Sequence, residues 1–166
     1  MTIRSIRKGD GEAFLAMQRQ LDQESDFMLL LPEERTTTNE QSEQHIEEVL
    51  ARNDFLYVAL DDSEQISGYI YGERGSLKKI SHSAYIVIGL QKKLHRKGIA
   101  THFFRKLDQW AKEQHIKRLE LTVIAENTGA IALYRKAGFE IEGTKKNAIF
   151  QNGVYQDEYY MSKILS

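Results

Sequence analysis

The stretch Ile88-Gly89-Leu90-Gln91-Lys92-Lys93-Leu94-His95-Arg96-Lys97-Gly98-Ile99-Ala100-Thr101 decides how the chain is built. Its first residues close the run Ser83–Leu90, apolar at successive positions, which predicts a central strand covered on both faces. A basic turn follows. From Gly98 onward, Ala100, Phe103, Phe104, Leu107 and Ala111 recur at helical spacing and predict an amphipathic helix facing a sheet. The first turn of such a helix has free backbone N–H groups and the positive end of the helix dipole. Gly98 has no side chain and Ala100 a small one, so a ligand could approach the backbone closely. Lys92, Lys93, His95, Arg96 and Lys97 add positive potential. The segment reads either as a cradle for a pyrophosphate or as a solvated basic turn before a helix, and a bare Gly-x-Ala, common by chance, does not separate the two. Neither G-x-x-x-x-G-K-[ST] nor G-x-G-x-x-G occurs, which disfavours a triphosphatase loop and a dinucleotide site.

Upstream, Thr2–Ile6 predicts a short strand, and Asp10 is placed to cap a helix with Phe14, Met17 and Leu21 on one face. Asp22–Thr37 reads as irregular. Thr38 and Gln41 have capping-box spacing ahead of a helix from Asn39, with Ile46, Val49 and Leu50 inward. Phe55–Leu60 and Gln65–Glu73 predict a hairpin turning at Asp61-Asp62-Ser63-Glu64. Downstream, the helix of about Ile99–Gln114 is followed by a strand, about Arg118–Ile124, and a helix, about Asn127–Ala137. Two long strands, about Phe139–Phe150 and Val154–Ile164, meet at Asn152-Gly153, a type I′ signal. The middle is β-α-β-α and the flanks are antiparallel hairpins, so a mixed sheet in an α+β domain is expected.

The chain has 166 residues, 41% of them hydrophobic and 28% charged, which suits a single domain over 1–166 with a real core. The formal net charge is -1, which argues against a nucleic-acid binder. There is no Cys, which excludes a disulfide scaffold, a thiolate nucleophile and a Cys-ligated zinc. His45 and His82 have no partners at metal-ligand spacing, so no metal is expected. Apolar runs such as Phe27–Leu31 are far too short to span a membrane, and the N-terminus lacks an apolar signal region. No membrane partner and a cytoplasmic location are the expectation.

A second segment, Asn127-Thr128-Gly129-Ala130-Ile131-Ala132-Leu133-Tyr134-Arg135-Lys136-Ala137-Gly138-Phe139, follows the strand Arg118–Ile124. Asn127 suits an N-cap and Gly138 a helix stop. Tyr134 lies close to two turns after Asn127, where its hydroxyl could donate a proton to a leaving group or simply pack.

Together these segments resemble the GNAT superfamily of N-acetyltransferases. The family's acetyl-CoA signature Q/R-x-x-G-x-G/A is similar to His95-Arg96-Lys97-Gly98-Ile99-Ala100, and its N-x-x-A-I-x-L-Y-x-K-x-G-F is matched from Asn127 to Phe139. The ending Gly153-Val154-Tyr155-Gln156-Asp157-Glu158 is similar to members near the ribosomal-protein and small-amine acetyltransferases. The resemblance is close over residues 83–164 and extends to the first half in element order. The sequence departs from the pattern at His95 (Gln or Arg in the family), Arg96 (often Gly), Leu94 (often aromatic) and His115 (often Gly).

The resemblance implies a mixed, mostly antiparallel sheet of six or seven strands flanked by about four helices. It implies direct transfer of acetyl from acetyl-CoA to a primary amine of a small molecule or a protein N-terminus, without a covalent enzyme intermediate. Ile88, Gly89 and Leu90 would pair with the pantetheine arm, and His95, Arg96, Lys97, Gly98, Ile99, Ala100 and Thr101 would hold the pyrophosphate. Asn127 would contact the pantetheine region, and Tyr134 would protonate the departing thiolate. Glu120 is a candidate base, with a water relay as the alternative. Thr122, on the same strand face, stands where some relatives carry a catalytic Glu, and Glu24 lies in a segment that often shapes the acceptor site. The acidic Asp22, Glu24 and Asp26 could attract a cationic amine. The long C-terminal hairpin offers an edge for a homodimer. A CoA- or acyl-CoA-binding module without turnover is the alternative function that the departures suggest.

Overall fold

The computed structural model describes residues 2–166. The elements are β1 (Thr2–Ser5), α1 (Gly11–Glu24), α2 (Asn39–Arg52), β2 (Phe55–Leu60), β3 (Ile66–Arg74), β4 (Ser83–Leu90), α3 (Ile99–Glu113), β5 (Arg118–Ile124), α4 (Thr128–Lys136), β6 (Glu140–Gln151) and β7 (Val154–Ile164). Short 3-10 turns occupy Pro32–Glu34, Lys78–Ile80 and Lys92–Leu94. The strands form a seven-stranded sheet in the order β1-β2-β3-β4-β5-β7-β6. β4 and β5 pair in parallel, while β1–β2, β2–β3, β5–β7 and β6–β7 are antiparallel. This is the mixed, mostly antiparallel α+β arrangement expected from the sequence. The chain divides into two compact units, 1–72 with 87–106, and 73–86 with 107–166.

In the first unit, Phe14, Met17 and Leu21 of α1 and Ile46 and Val49 of α2 join Leu56, Val58, Ile66 and Tyr69 in a buried cluster. α2 starts as its sequence predicts: Thr38 Oγ1 accepts the Gln41 N–H at 3.1 Å and Gln41 Oε1 accepts the Thr38 N–H at 3.0 Å. α1 starts differently. Asp10 sits at the N-cap position without capping, because its carboxylate is taken by Arg4 and by the Arg7 N–H. Glu43 of α2 replaces it, accepting the N–H groups of Gly9 and Gly11 at 2.8 and 2.9 Å.

The segment read as irregular from Asp22 also differs. α1 continues through Glu24, and Asp22 is buried in an ion pair with Arg35, including Arg35 Nη2 to Asp22 Oδ1 at 3.0 Å. Here a charge that looked like a surface feature anchors the returning loop. The Asp22 hydrogen bond pushes the Arg35 guanidinium further up from its ordinary pKa, against the opposing effect of burial.

In the second unit, Leu119, Leu121 and Val123 of β5 and Met161 of β7 are buried on one face. α3 ends with His115 at φ 58°, the left-handed conformation that glycine usually supplies there. The β6–β7 hairpin closes at Asn152 (φ 53°) and Gly153 (φ 75°), as a type I′ turn requires. β4 is a correction. Ala84 and Ile86 are buried, but Tyr85 and Val87 are 40% and 36% exposed, so the strand alternates and is not covered on both faces.

Removing one partner of the buried pair should be costly. Arg35→Met is expected to lower the free energy of unfolding by about 3–5 kcal/mol, because it strands the Asp22 carboxylate. The double variant Asp22→Leu/Arg35→Met should lose less than Arg35→Met alone. Urea denaturation of the three proteins measures this, and equal losses would contradict it.

Candidate active site

The first unit contains the junction between β4 and α3. The chain leaves β4 through the 3-10 turn Lys92–Leu94, with Leu94 only 3% exposed. Arg96 at φ 61° and Gly98 at φ 75° then bend it into α3. α3 begins at Ile99, as expected from the sequence, and the left-handed Gly98 stands just ahead of it. The first intrahelical bond is His102 N–H to Gly98 O at 3.3 Å, so the amides of Ile99, Ala100 and Thr101 lie ahead of the helix ladder. A Cβ built at Gly98 would meet nothing within 4 Å. Two left-handed residues before a helix N-terminus form a concavity of backbone N–H groups that suits an anion. Arg96 and Lys97 are exposed beside it. The donor set therefore fits a pyrophosphate.

The basic character of the turn is less uniform than its sequence. Lys93 Nζ is paired with Asp61 in the β2–β3 turn, and Asp61 also accepts the Ser63 and Gln65 N–H groups. Lys93, then the Gln65 N–H, hold the Asp61 carboxyl well below the usual range. His95 Nε2 lies 2.9 Å from the Leu90 carbonyl. A carbonyl only accepts, so Nε2 carries the proton and His95 folds back on its own strand. The Gln91 N–H bonds Ser67 O at 3.0 Å. Of the expected pantetheine-pairing residues, Leu90 thus has its carbonyl engaged by His95. Gly89 has a packing reason: a Cβ there would come within 2.8 Å of Leu21 Cδ1 and 3.0 Å of Tyr69 Cε1. Glu24 accepts the Lys92 N–H at 2.8 Å through Oε1 and the Gln20 side chain at 2.9 Å through Oε2. Of the three acidic residues that could attract a cation, Asp22 is buried against Arg35 and Glu24 is engaged by a backbone amide.

The second unit contains the remaining candidates. Asn127 Oδ1 accepts the Ala130 N–H at 3.3 Å and caps α4. Gly138 at φ 102° ends that helix. Tyr134 is 8% exposed, with its ring 6.1 Å from that of Phe139. Glu120 and Thr122 lie on one face of β5, as expected. Glu120 accepts Arg118 Nε at 2.7 Å, and Glu142 takes the other end of the same guanidinium. Glu142, then Glu120, push the Arg118 pKa further up, and the Arg118 hydrogen bond lowers that of Glu142. The Thr122 hydroxyl is 2.7 Å from the Tyr85 hydroxyl across the parallel β4–β5 pair. Sequence reasoning missed Tyr85, whose signal lay only in the β4–β5 register. Among the described residues no group of three or more His, Asp and Glu is arranged to hold a metal ion. Among the described residues no helix is long and apolar enough to cross a membrane.

Residues 3–160 match the acetyltransferase (GNAT) domain family. The chain belongs to the GNAT family. It is 39% identical over 88 residues to the L-amino acid N-acetyltransferase AaaT of Escherichia coli K12, a match covering 51% of this chain and 52% of that protein. The matching region thus spans about half the length of that curated relative. The fold is similar to the GNAT-family acetyltransferase of Streptococcus pneumoniae, with TM-score 0.93, 25% identity and 99% of each chain covered. It is also similar to a Sinorhizobium meliloti phosphinothricin acetyltransferase crystallised with acetyl-CoA, with TM-score 0.86, 19% identity and coverage of 99% of this chain and 88% of that one.

Gly98 and Gly129 both have open space for a methyl group, but only Gly98 has positive φ. Gly98→Ala is expected to lower stability by about 1–2 kcal/mol, and Gly129→Ala, within α4, to raise it by about 0.5–1 kcal/mol. Thermal and urea unfolding check the opposite signs; a neutral Gly98→Ala would contradict the backbone assignment.

Proposed function

We propose that the chain is an acetyl-CoA-dependent N-acetyltransferase that acetylates a primary amine of a small molecule or a protein N-terminus. The observation that carries this reading is the Arg96–Thr101 turn, whose left-handed residues and unladdered α3 amides suit a pyrophosphate. Membership of the GNAT family supports it, as do the names of the similar proteins. Acetyl-CoA, when bound, supplies the activated acetyl group.

On this reading the amides of Gly98, Ile99, Ala100 and Thr101 hold the pyrophosphate oxygens, aided by exposed Arg96 and Lys97. Backbone groups of Ile88 and Gly89 orient the pantetheine arm. His95 acts through Leu90, fixing the strand end, and Asn127 sets the start of α4. Tyr134, largely shielded from water, holds a proton for the departing thiolate. The amine must lose a proton before it attacks. Glu120 is the carboxylate on the face that also carries Thr122, and it accepts a hydrogen bond from Arg118 Nε at 2.7 Å. A water chain over the Tyr85–Thr122 hydroxyl pair is the alternative route. The amine belongs to an amino acid or small metabolite in the same class as the named acceptor of the Escherichia coli relative, or to a protein N-terminus. The exposed β6–β7 hairpin, with Phe150 and Tyr155 each 62% exposed, is the surface on which a homodimer would form.

Incubation with acetyl-CoA and a panel of L-amino acids, small amines and N-terminal peptides should release free thiol. Calorimetry should detect acetyl-CoA binding without an amine; no binding would defeat the proposal, and binding without turnover on any amine would leave a CoA-binding module. Tyr134→Phe should lower kcat by about 10²-fold or more with acetyl-CoA affinity within about twofold. Equal losses in both would contradict the leaving-group role.

A further inference from the structure

We infer that Glu24 is a positioning residue for the cofactor-binding turn and not a residue that meets the acceptor. The inference rests on the acetyl-CoA reading of the Arg96–Thr101 turn.

Glu24 is the last residue of α1, and Lys92 is the first residue of the 3-10 turn that leads out of β4. They are 68 positions apart, yet Glu24 Oε1 accepts the Lys92 N–H at 2.8 Å. The other carboxylate oxygen accepts Gln20 Nε2 at 2.9 Å, one helical turn back, which fixes the Glu24 side chain. The position of Glu24 is set in turn by α1, whose Leu21 is 2% exposed, and by the end of the helix at Ser25, whose N–H bonds Leu21 O at 3.0 Å.

At the other end of the contact, the Lys92 amide is the first donor of a short turn. The Leu94 and His95 N–H groups already bond Gln91 O and Lys92 O at 2.8 and 3.0 Å. Lys92 N–H has no carbonyl within its own turn to take, and Glu24 supplies the acceptor. The turn is then held at Gln91 by Ser67, at Lys92 by Glu24, at Lys93 by Asp61 and at His95 by Leu90 O. Arg96 and Gly98, the two left-handed residues, follow directly.

Electrostatics points the same way. A carboxylate close in space to a turn that receives a polyanion opposes binding of that polyanion. Its useful contribution at this place is geometric: it keeps the turn in the conformation that presents the α3 amides, and apparent affinity scales with the populated fraction of that conformation. Removal of the acceptor and removal of the charge should therefore have opposite effects on affinity. Gln retains the accepting oxygen and loses the charge, whereas Ala loses both.

The experiment compares wild type, Glu24→Gln and Glu24→Ala by acetyl-CoA calorimetry, by steady-state kinetics with the amine, and by hydrogen exchange at the Lys92 amide. Glu24→Ala should raise the acetyl-CoA Kd about tenfold, leave the amine KM at saturating acetyl-CoA within about twofold, and speed Lys92 exchange about tenfold. Glu24→Gln should bind acetyl-CoA as tightly as wild type or tighter, with Lys92 still protected. Unchanged Lys92 exchange in Glu24→Ala would overturn the inference. So would a Glu24→Gln protein with normal acetyl-CoA affinity and a strongly raised amine KM, which would place the carboxylate against the acceptor. If wild type failed to bind acetyl-CoA, the functional proposal would fall, while Lys92 exchange would still decide whether Glu24 holds the turn.

Discussion

The passage from β4 into α3 is the constraint on which the candidate site depends. The chain must leave a strand, reverse, and start a helix with its first amides kept out of the backbone ladder. Positive φ at Arg96 and Gly98 achieves the reversal. Such a conformation is disfavoured for a residue like Arg96 and persists where surrounding contacts over-determine it. Those contacts are present: Leu94 is buried as a plug, and Ser67, Glu24, Asp61 and the Leu90 carbonyl each hold one residue of the approach. Part of the basic sequence that draws attention as a phosphate-binding patch therefore maintains the backbone, and Arg96 and Lys97 remain exposed for a ligand.

The second unit has a complementary economy. Asn127 caps α4 and Gly138 stops it, which fixes Tyr134 in a nearly water-free position. On β5 the inward face is apolar, and the other carries Arg118, Glu120 and Thr122. Two carboxylates share one guanidinium there, and a tyrosine hydroxyl from β4 meets the threonine. That face therefore carries both an ion-paired carboxylate cluster and a hydroxyl pair, Tyr85 with Thr122.

The fold was legible in the sequence where a local rule decides it. Thr38 with Gln41, Asn152 with Gly153, and the helical spacing from Ala100 to Ala111 each act over a few residues, and each appears as read. The order of elements followed from such signals, whereas the two motifs were legible through their resemblance to the GNAT family. Charged side chains were harder, because their partners lie far away in sequence. Asp10 has the right identity and place for an N-cap, but Arg4 competes for it and Glu43, 32 residues beyond Gly11, takes over. Asp22, Glu24 and Asp26 read as one acidic stretch; on the helix two of them face different neighbours, Arg35 and the Lys92 amide. The two-sided apolar reading of β4 failed for a related reason: Tyr85 and Val87 are apolar enough for a core, but nothing in a linear pattern shows which face is left uncovered.

The central claim is that the amides entering α3 are the anion site. Backbone NMR of the labelled protein during titration with acetyl-CoA tests it most directly. The account predicts that the amide resonances of Gly98, Ile99, Ala100 and Thr101 shift together and saturate at one equivalent, and that CoA lacking its acetyl group reproduces those shifts. Saturable binding that leaves these four amides unmoved would contradict it.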